Sequence, residues 1–355
     1  MKAMSPLGLA TPQPTRCLDE EGVKLFARRV EERHRRLAEK HGVHPYMASR
    51  YEELLGPQGA EELLSMRERD VMRAIRVNTL RTNVDALAER LEGKGFALRR
   101  YWIPYALIVE EEGVTGIGST HEYMEGLYYI QGPGSQTPVY ISDPKPLQRA
   151  VDLAAAPGGK TTQIAQHQLD TTPIVALDVS PRRLQALKNN VNRLGVRSVV
   201  ALLLDARRAP EVLGESRFDY VLLDAPCTGE GLLPLERGRR RERRPEDLVD
   251  RVCLQLELLR AAVRLAACNA TIVYTTCSIA PEENEYVVSR VLREHPELDV
   301  VEPEVKPPRY ARGVRGFNGV EFDERVARCI RLYPHETRTE GFVVCLLRKR
   351  CAATR

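Results

Sequence analysis

Val151-Asp152-Leu153-Ala154-Ala155-Ala156-Pro157-Gly158-Gly159-Lys160-Thr161-Thr162 decides the fold. The stretch opens as a short apolar run, breaks at Pro157, turns through two glycines and leads into residues 160–168, whose pattern is helical. A strand that turns through glycine into a helix lets a ligand approach the backbone, and the helix start offers free N–H groups. Neither common nucleotide loop is present, since both GxxxxGK[ST] and GxGxxG are missing. Taken alone, the turn also suits a tight connection.

Outward from this turn, apolar runs alternate with helical patterns. The runs are Val151–Leu153, Ile174–Leu177, Val199–Leu204, Tyr220–Leu223 and Ile272–Tyr274, and helical patterns cover 160–168, 181–194, 246–268 and 281–294. This alternation predicts βαβ units, hence an α/β chain with a mostly parallel sheet and helices on both faces. Phe342–Leu347 adds a strand after a long loop. Asp178, Asp205 and Asp224 end the second, third and fourth runs. A carboxylate after the second strand can hold ribose hydroxyls, although a strand-end Asp also serves to cap the next helix. Three of them after a glycine-rich turn form the pattern of a nucleoside cofactor. Without a phosphate cradle, S-adenosylmethionine is favoured over a dinucleotide. The candidate cofactor residues are Ala154, Ala155, Ala156, Pro157, Gly158, Gly159, Lys160, Asp178, Arg183, Asp205, Asp224 and Pro226.

Cys227, in Asp224-Ala225-Pro226-Cys227, and Cys277, in Thr275-Thr276-Cys277-Ser278, each follow an apolar run. Ligands of open α/β sheets bind beyond the carboxyl ends of the strands, so both thiols are expected to face one pocket. The plain alternative is a pair of packed strand-end thiols. The other six cysteines show no CxxC pair and no zinc-site spacing, so no metal is expected. Cys253, Cys268, Cys329 and Cys345 read as small core residues and Cys17 and Cys351 as terminal ones, all reduced in a cytosolic chain.

These strings resemble the Sun/Fmu-type RNA cytosine-C5 methyltransferases. The resemblance rests on Asp152–Thr161, Leu177-Asp178-Val179-Ser180, Asp224–Gly231, and Thr275–Ser278 followed by Pro281-Glu282-Glu283-Asn284-Glu285, and it covers about residues 74–350. It implies a Rossmann-like class I methyltransferase domain with a mostly parallel seven-stranded sheet, plus a smaller α+β RNA-contacting module around Ile75-Arg76-Val77-Asn78-Thr79-Leu80. It also implies S-adenosylmethionine as cofactor, Cys277 as the nucleophile on cytosine C6, Cys227 as the group assisting release, and Lys160 and Asp224 at the target base. The chain departs from the family in Glu340-Gly341-Phe342-Val343 and in the glycine-rich Gln131-Gly132-Pro133-Gly134-Ser135.

At 355 residues the chain has room for about two domains. The expected division is a helical segment at 1–73, a small module and linker at 74–135, and a methyltransferase domain at 136–350. No apolar stretch reaches membrane-spanning length, and a cytoplasmic monomer is expected. Net charge is only +4, but just nine of the 53 basic residues are lysine, and arginine suits phosphate and base recognition. A thermophilic or GC-rich source explains the same bias. Six arginines crowd residues 237–244, and the expected RNA contacts are Arg76, Arg81, Arg237, Arg239, Arg240 and Arg241. Trp102 beside Tyr101 reads either as core or as a base-stacking platform. The partner implied is tRNA or rRNA. Two other readings stay open: a DNA cytosine methyltransferase, and a non-catalytic RNA-binding or assembly factor on the same fold.

Overall fold

The computed structural model describes residues 17–27, 29–236 and 244–351. Three helices open the chain: α1 (Glu20–Phe26), α2 (Glu32–His41) and α3 (Pro45–Ser65). Asp19 caps α1 by accepting from the Gly22 N–H at 2.8 Å, and Gly56, with φ of 73°, kinks α3 just before Pro57. Met47, Tyr51, Leu63 and Leu64 of α3 are buried with Leu233 and Ile279. This apolar stripe therefore packs on the loops that follow the two cysteines.

A four-stranded antiparallel sheet comes next, from β1 (Arg73–Val77), β2 (Ala97–Arg100), β3 (Ala106–Glu111) and β4 (Tyr128–Ile130), in the order β2-β3-β1-β4. Helix α4 (Val84–Glu92) starts where Asn83 accepts from the Ala86 N–H at 2.8 Å. The short α5 (His121–Met124) precedes β4. Residues 116–138, rich in Gly, Tyr and Pro and spanning the end of the expected small module and linker, supply the edge strand β4 and then begin α6 (Pro133–Ser142). Tyr128 ties the stretch to that sheet, because its buried ring belongs to the small core.

The large sheet has nine strands among the described residues. Chain order gives β5 (Ala150–Asp152), α7 (Gly159–His167), β6 (Ile174–Asp178), α8 (Pro181–Leu194), β7 (Val199–Leu203), α9 (Ala209–Leu213), β8 (Phe218–Asp224), α10 (Pro245–Leu265) and β9 (Ala266–Thr276). Then follow α11 (Glu285–Glu294), β10 (Leu298–Val301), β11 (Ala311–Arg312), the hairpin β12 (Gly316–Phe317) and β13 (Val320–Glu321), β14 (Ile330–Leu332), α12 (Pro334–Thr337) and β15 (Phe342–Lys349). Seven strands form the spine β14-β15-β9-β8-β5-β6-β7, with β11 at one edge and β10 beside β15. Strands β5 to β9 run parallel to one another, and β15 is antiparallel to its three partners β9, β10 and β14. This is the mostly parallel, Rossmann-like class I architecture. The order reverses between β5 and β8, so ligands are expected above that switch point. Strands β5, β8 and β9 lie between two apolar layers, which is why they read as continuous hydrophobic runs. No helix among the described residues is long and apolar enough to cross a membrane.

The six remaining cysteines are not reduced. Disulfides join Cys17 to Cys253, Cys268 to Cys351 and Cys329 to Cys345, with Cα separations of 5.5, 4.9 and 4.5 Å. The register of β15 accounts for two of them. Pairing of Ile330 with Val344 continues to Cys329 opposite Cys345, and pairing of Thr271 with Arg348 continues to Cys268 opposite Cys351. The third ties the N-terminal segment to α10. An expectation built on compartment alone has no access to register.

Candidate active site

Strands β8 and β9 end side by side, with Asp224 paired to Thr275, and each runs straight into a cysteine loop. The Cys227 and Cys277 sulfurs lie 3.3 Å apart, both half-buried, and they are the two free cysteines. Contact with Cys277, reinforced by burial, pushes the Cys227 thiol well above its ordinary range.

The two loops are held together by Pro281-Glu282-Glu283-Asn284-Glu285, a string that entered the sequence reading only as part of a resemblance. Buried Glu283 accepts from the Thr228 N–H at 2.9 Å, the Thr228 hydroxyl at 2.6 Å and Gln255 Nε2 at 3.0 Å. Burial raises its carboxyl, while its hydrogen bonds to Ser278 and Thr228 pull the other way. Asn284 donates to the carbonyls of Ser278 and Ala280 at 3.1 and 2.8 Å and accepts from the Thr276 hydroxyl at 2.8 Å. Glu285 pairs with buried Arg331, which also donates to the Ile279 carbonyl.

Glu282 reaches furthest. Its Oε1 meets Arg50 of α3, whose Nη1 also grips Glu230 of the Cys227 loop at 2.6 and 2.8 Å. The Tyr51 hydroxyl completes Glu230 at 2.7 Å, and the Arg50, Glu230 and Glu282 side chains are about as buried as side chains get, at 1%, 0% and 1% exposed. One guanidinium thus joins the loop of each cysteine. Finally, the Gly231 N–H donates to the Cys277 carbonyl at 2.9 Å.

Beside the thiols, Lys160 Nζ lies 2.8 Å from Asp224 Oδ2, 3.2 Å from Ser135 Oγ and 4.8 Å from the centre of the Phe342 ring. Burial opposes the ammonium, but Asp224 beside it prevails and raises Lys160 above its ordinary value, so the cation persists at neutral pH.

The glycine turn sits above β5. Gly158 has φ of 106°, and a Cβ there would come 2.8 Å from Leu187 Cδ1. Asp152 lies buried under the turn, accepting from the Thr161 hydroxyl at 2.6 Å and the Ala154 N–H at 3.3 Å; burial pushes its carboxyl up to about 7 against the Thr161 bond. Arg183 donates to the Ala156 carbonyl at 2.6 Å and Asn190 to that of Pro157 at 2.9 Å, so α8 braces the turn from outside. Gln255 likewise holds the Pro226 carbonyl at 2.9 Å. Asp178 accepts from the Ser180 N–H at 2.9 Å, with Arg183 at 3.6 Å. Asp205 accepts from Arg207, whose hydrogen bonds hold its carboxyl below the ordinary range. Three carboxylates at the ends of β6, β7 and β8, around a turn that tolerates no side chain at Gly158, suit a cofactor with ribose hydroxyls. No cluster able to hold a metal ion occurs among the described residues.

Of the expected RNA contacts, Arg76 needs correction. It is 1% exposed and donates to the Gly159 carbonyl, to Thr162 Oγ1 at 2.7 Å and to Gln131 at 3.1 Å. It points inward because side chains alternate along β1, and its neighbour on that face is the cofactor turn. Burial without a carboxylate lowers it to about 10. Exposed Arg81 donates to the carbonyls of Glu125 and Arg193, fastening the small module to the end of α8. Arg237, Arg239, Arg240 and Arg241 lie outside the described residues.

Comparisons with known proteins bear on the family and the fold. The model of the 16S rRNA methyltransferase RsmB/F family matches residues 139–348. The chain is 34% identical to the 25S rRNA (cytosine-C(5))-methyltransferase nop2 of Schizosaccharomyces pombe over 87% of its own length and 51% of that protein. It is 33% identical to the ribosomal RNA small subunit methyltransferase F of Klebsiella pneumoniae over 82% of its length and 60% of that one. It thus spans about half the length of the curated relatives it matches. A solved methyltransferase homolog protein from Pyrococcus horikoshii superposes with a TM-score of 0.78 at 32% identity, covering 90% of this chain and 100% of that one. With the family model spanning more than half of its residues, the chain belongs to the RsmB/F family of rRNA methyltransferases.

Proposed function

We propose that this chain transfers a methyl group from S-adenosylmethionine to C5 of a cytosine in RNA, and in ribosomal RNA rather than tRNA, the class named for its relatives. The observation that carries the reading is the pair of free thiols 3.3 Å apart at the ends of adjacent parallel strands, next to a lysine–aspartate pair. Cytosine C5 is a poor nucleophile. A Cys277 thiolate adding to C6 breaks the aromaticity and makes C5 enamine-like, the covalent route open to cysteine. Lys160 supplies a buried positive charge beside that step, and Asp224 faces the N3–N4 edge of the base. The cofactor, held by the Ala154–Gly159 turn with Asp178 and Asp205, supplies the methyl group. Cys227 then removes the C5 proton as the Cys277–C6 bond breaks, restoring the ring.

The raised Cys227 thiol fits this order. Its first cause is contact with Cys277, and that contact changes once Cys277 becomes a neutral thioether. Cys227 is then free to lose its proton to solvent and act as base.

The test uses the two single variants with radiolabelled donor and rRNA transcripts. Cys227→Ala is expected to accumulate a protein–RNA adduct that survives denaturing electrophoresis, and Cys277→Ala to form none. Reversed roles would overturn the assignment. Equal labelling of a DNA copy would point to the DNA enzyme, and absence of single-turnover transfer to a non-catalytic factor.

A further inference from the structure

A second feature lies just outside the thiol crevice. An open groove of about 810 Å³ runs between the end of the N-terminal helical segment and the small sheet, lined by Arg67, Arg69, Arg73, Arg99 and Arg338. Beside it is a smaller cavity of about 280 Å³ containing Tyr101, Trp102 and Arg309. The two share Met72 and Arg338 as walls, so they adjoin and together define a path.

Three segments of chain lead from the path to the crevice. Pro234 and Leu235 line the groove and belong to the loop that begins at Cys227. Thr137 lines the cavity from α6, the helix whose Ser135 contacts Lys160. Arg338 and Thr339 lead into Phe342, whose ring packs on the same lysine.

Only part of its charge is paired. Arg73 pairs with Glu112 and Arg99 with Glu110, and Arg338 and Arg309 donate to the backbone carbonyls of Asp70 and Glu336. Among the described residues, the guanidiniums of Arg67, Arg69, Arg309 and Arg338 pair with no carboxylate, although the Arg67 backbone N–H donates to Asp70 at 2.8 Å. The other acid on the groove wall is Glu68. Trp102 is half-buried: one side packs edge-on against Tyr140, with ring centres 5.2 Å apart, while the cavity opens on another. Guanidiniums without carboxylates along a groove that ends in an aromatic ring make the pattern of a single-stranded nucleic acid track, where phosphates meet cations and a base stacks.

We propose that this path holds the single-stranded RNA flanking the target cytosine, with Arg67, Arg69 and Arg338 on phosphates and a neighbouring base stacked on Trp102. The proposal rests on the RNA reading above and deepens it. It also suits the chemistry, because a base reaching a thiol must leave its stack, and the strand around it must be held open.

Trp102 is the sole tryptophan of the chain, which makes the stacked base directly observable. Titrating the full-length protein with a fluorescein-free 20-nucleotide ribopyrimidine strand is expected to quench tryptophan fluorescence. Anisotropy of the labelled strand should show Arg67→Gln/Arg69→Gln lowering the slope of log affinity against log salt by about 1.4, at roughly 0.7 per phosphate on a single strand. Trp102→Ala is expected to weaken binding roughly 5- to 100-fold, the worth of one stacked base. Trp102→Phe, which keeps the packing on Tyr140, should recover most of it. Unquenched fluorescence at saturation, or an unchanged salt slope, overturns the path. If the wild-type protein methylates rRNA while both readouts stay flat, the path fails and the enzyme reading stands. If it methylates no RNA yet both readouts respond, the catalytic reading fails and the track stands.

Discussion

Replacing Arg50 with methionine tests whether the N-terminal helices belong to the catalytic apparatus. Arg50 sits at the centre of a fully buried cluster, with Glu230 of the Cys227 loop on one side and Glu282 of the Cys277 loop on the other. Methionine fills much of the same volume but leaves two carboxylates without a counter-charge. Removing one partner of a buried pair costs about 3–5 kcal/mol. With two carboxylates stranded, the upper half of that range is expected, a large part of the ~5–15 kcal/mol that holds a domain folded. Guanidinium unfolding at pH 7.5 measures this loss. The double variant Arg50→Met/Glu230→Gln should return part of it, since one stranded charge is gone. The functional consequence is separable. With the clamp open, the thiols are no longer held 3.3 Å apart. Bridging of Cys227 and Cys277 by a short bis-alkylating reagent such as dibromobimane, which forms a thioether to each thiol and releases two bromides, should slow together with methyl transfer, under conditions where the variant remains folded. A loss below about 1 kcal/mol, or a full loss with unchanged cross-linking and turnover, would refute the clamp.

Three further outcomes follow from the same geometry. Gly158→Ala places a Cβ at φ of 106° against Leu187, a strain of about 1–2 kcal/mol, so calorimetric titration should show S-adenosylmethionine binding roughly 5- to 30-fold weaker; unchanged affinity would remove this turn from the donor site. Asp152 has a folded value of about 7 against an ordinary 3.8. Its neutral form is the one favoured by folding, so its contribution is complete below pH 3.8 and is lost as pH rises through 7, on the order of 4 kcal/mol in all. Asp152→Asn should flatten the fall in melting temperature between pH 4.5 and 7.5, and an unaltered slope would contradict the assignment. Because contact with Cys277 is the first cause of the raised Cys227 thiol, Cys277→Ala should speed iodoacetamide labelling of Cys227 at pH 8; labelling as slow as that of Cys227 in wild-type protein would count against a coupled pair.

Much of the central sheet was readable from sequence for a simple physical reason. Strands buried on both faces must be apolar throughout, so Tyr220–Leu223 and Ile272–Tyr274 stand out, and the residues after them fall at the switch point. That the two thiols share one pocket follows from that alone, whereas the placing of Lys160 and Asp224 at the target base entered through the family resemblance and their mutual contact is seen only in the structure. What escaped depends on partners distant in sequence. Arg50 lies 180 residues from Glu230 and 232 from Glu282, and within α3 it looks like any surface arginine. Arg76 reads as a surface cation until β1 is seen to turn that face onto the glycine turn. Strand β14 is three residues long and carries Arg331 at its centre, which breaks its apolar signature. Two of the three disulfides become legible once the register of β15 is known, and the third, Cys17–Cys253, once the N-terminal segment is seen on α10.

Arg76 carries one more implication. A single guanidinium spans from the small sheet to the Gly159 carbonyl and Thr162 of the donor turn. If that turn holds the methyl donor, as proposed above, any shift that RNA imposes on β1 is felt there. Linkage makes such an effect reciprocal: the factor by which RNA changes the donor's affinity is the factor by which the donor changes RNA's. On the proposed function, the small module is then more than a handle for substrate: through one buried side chain it enters the donor's binding constant.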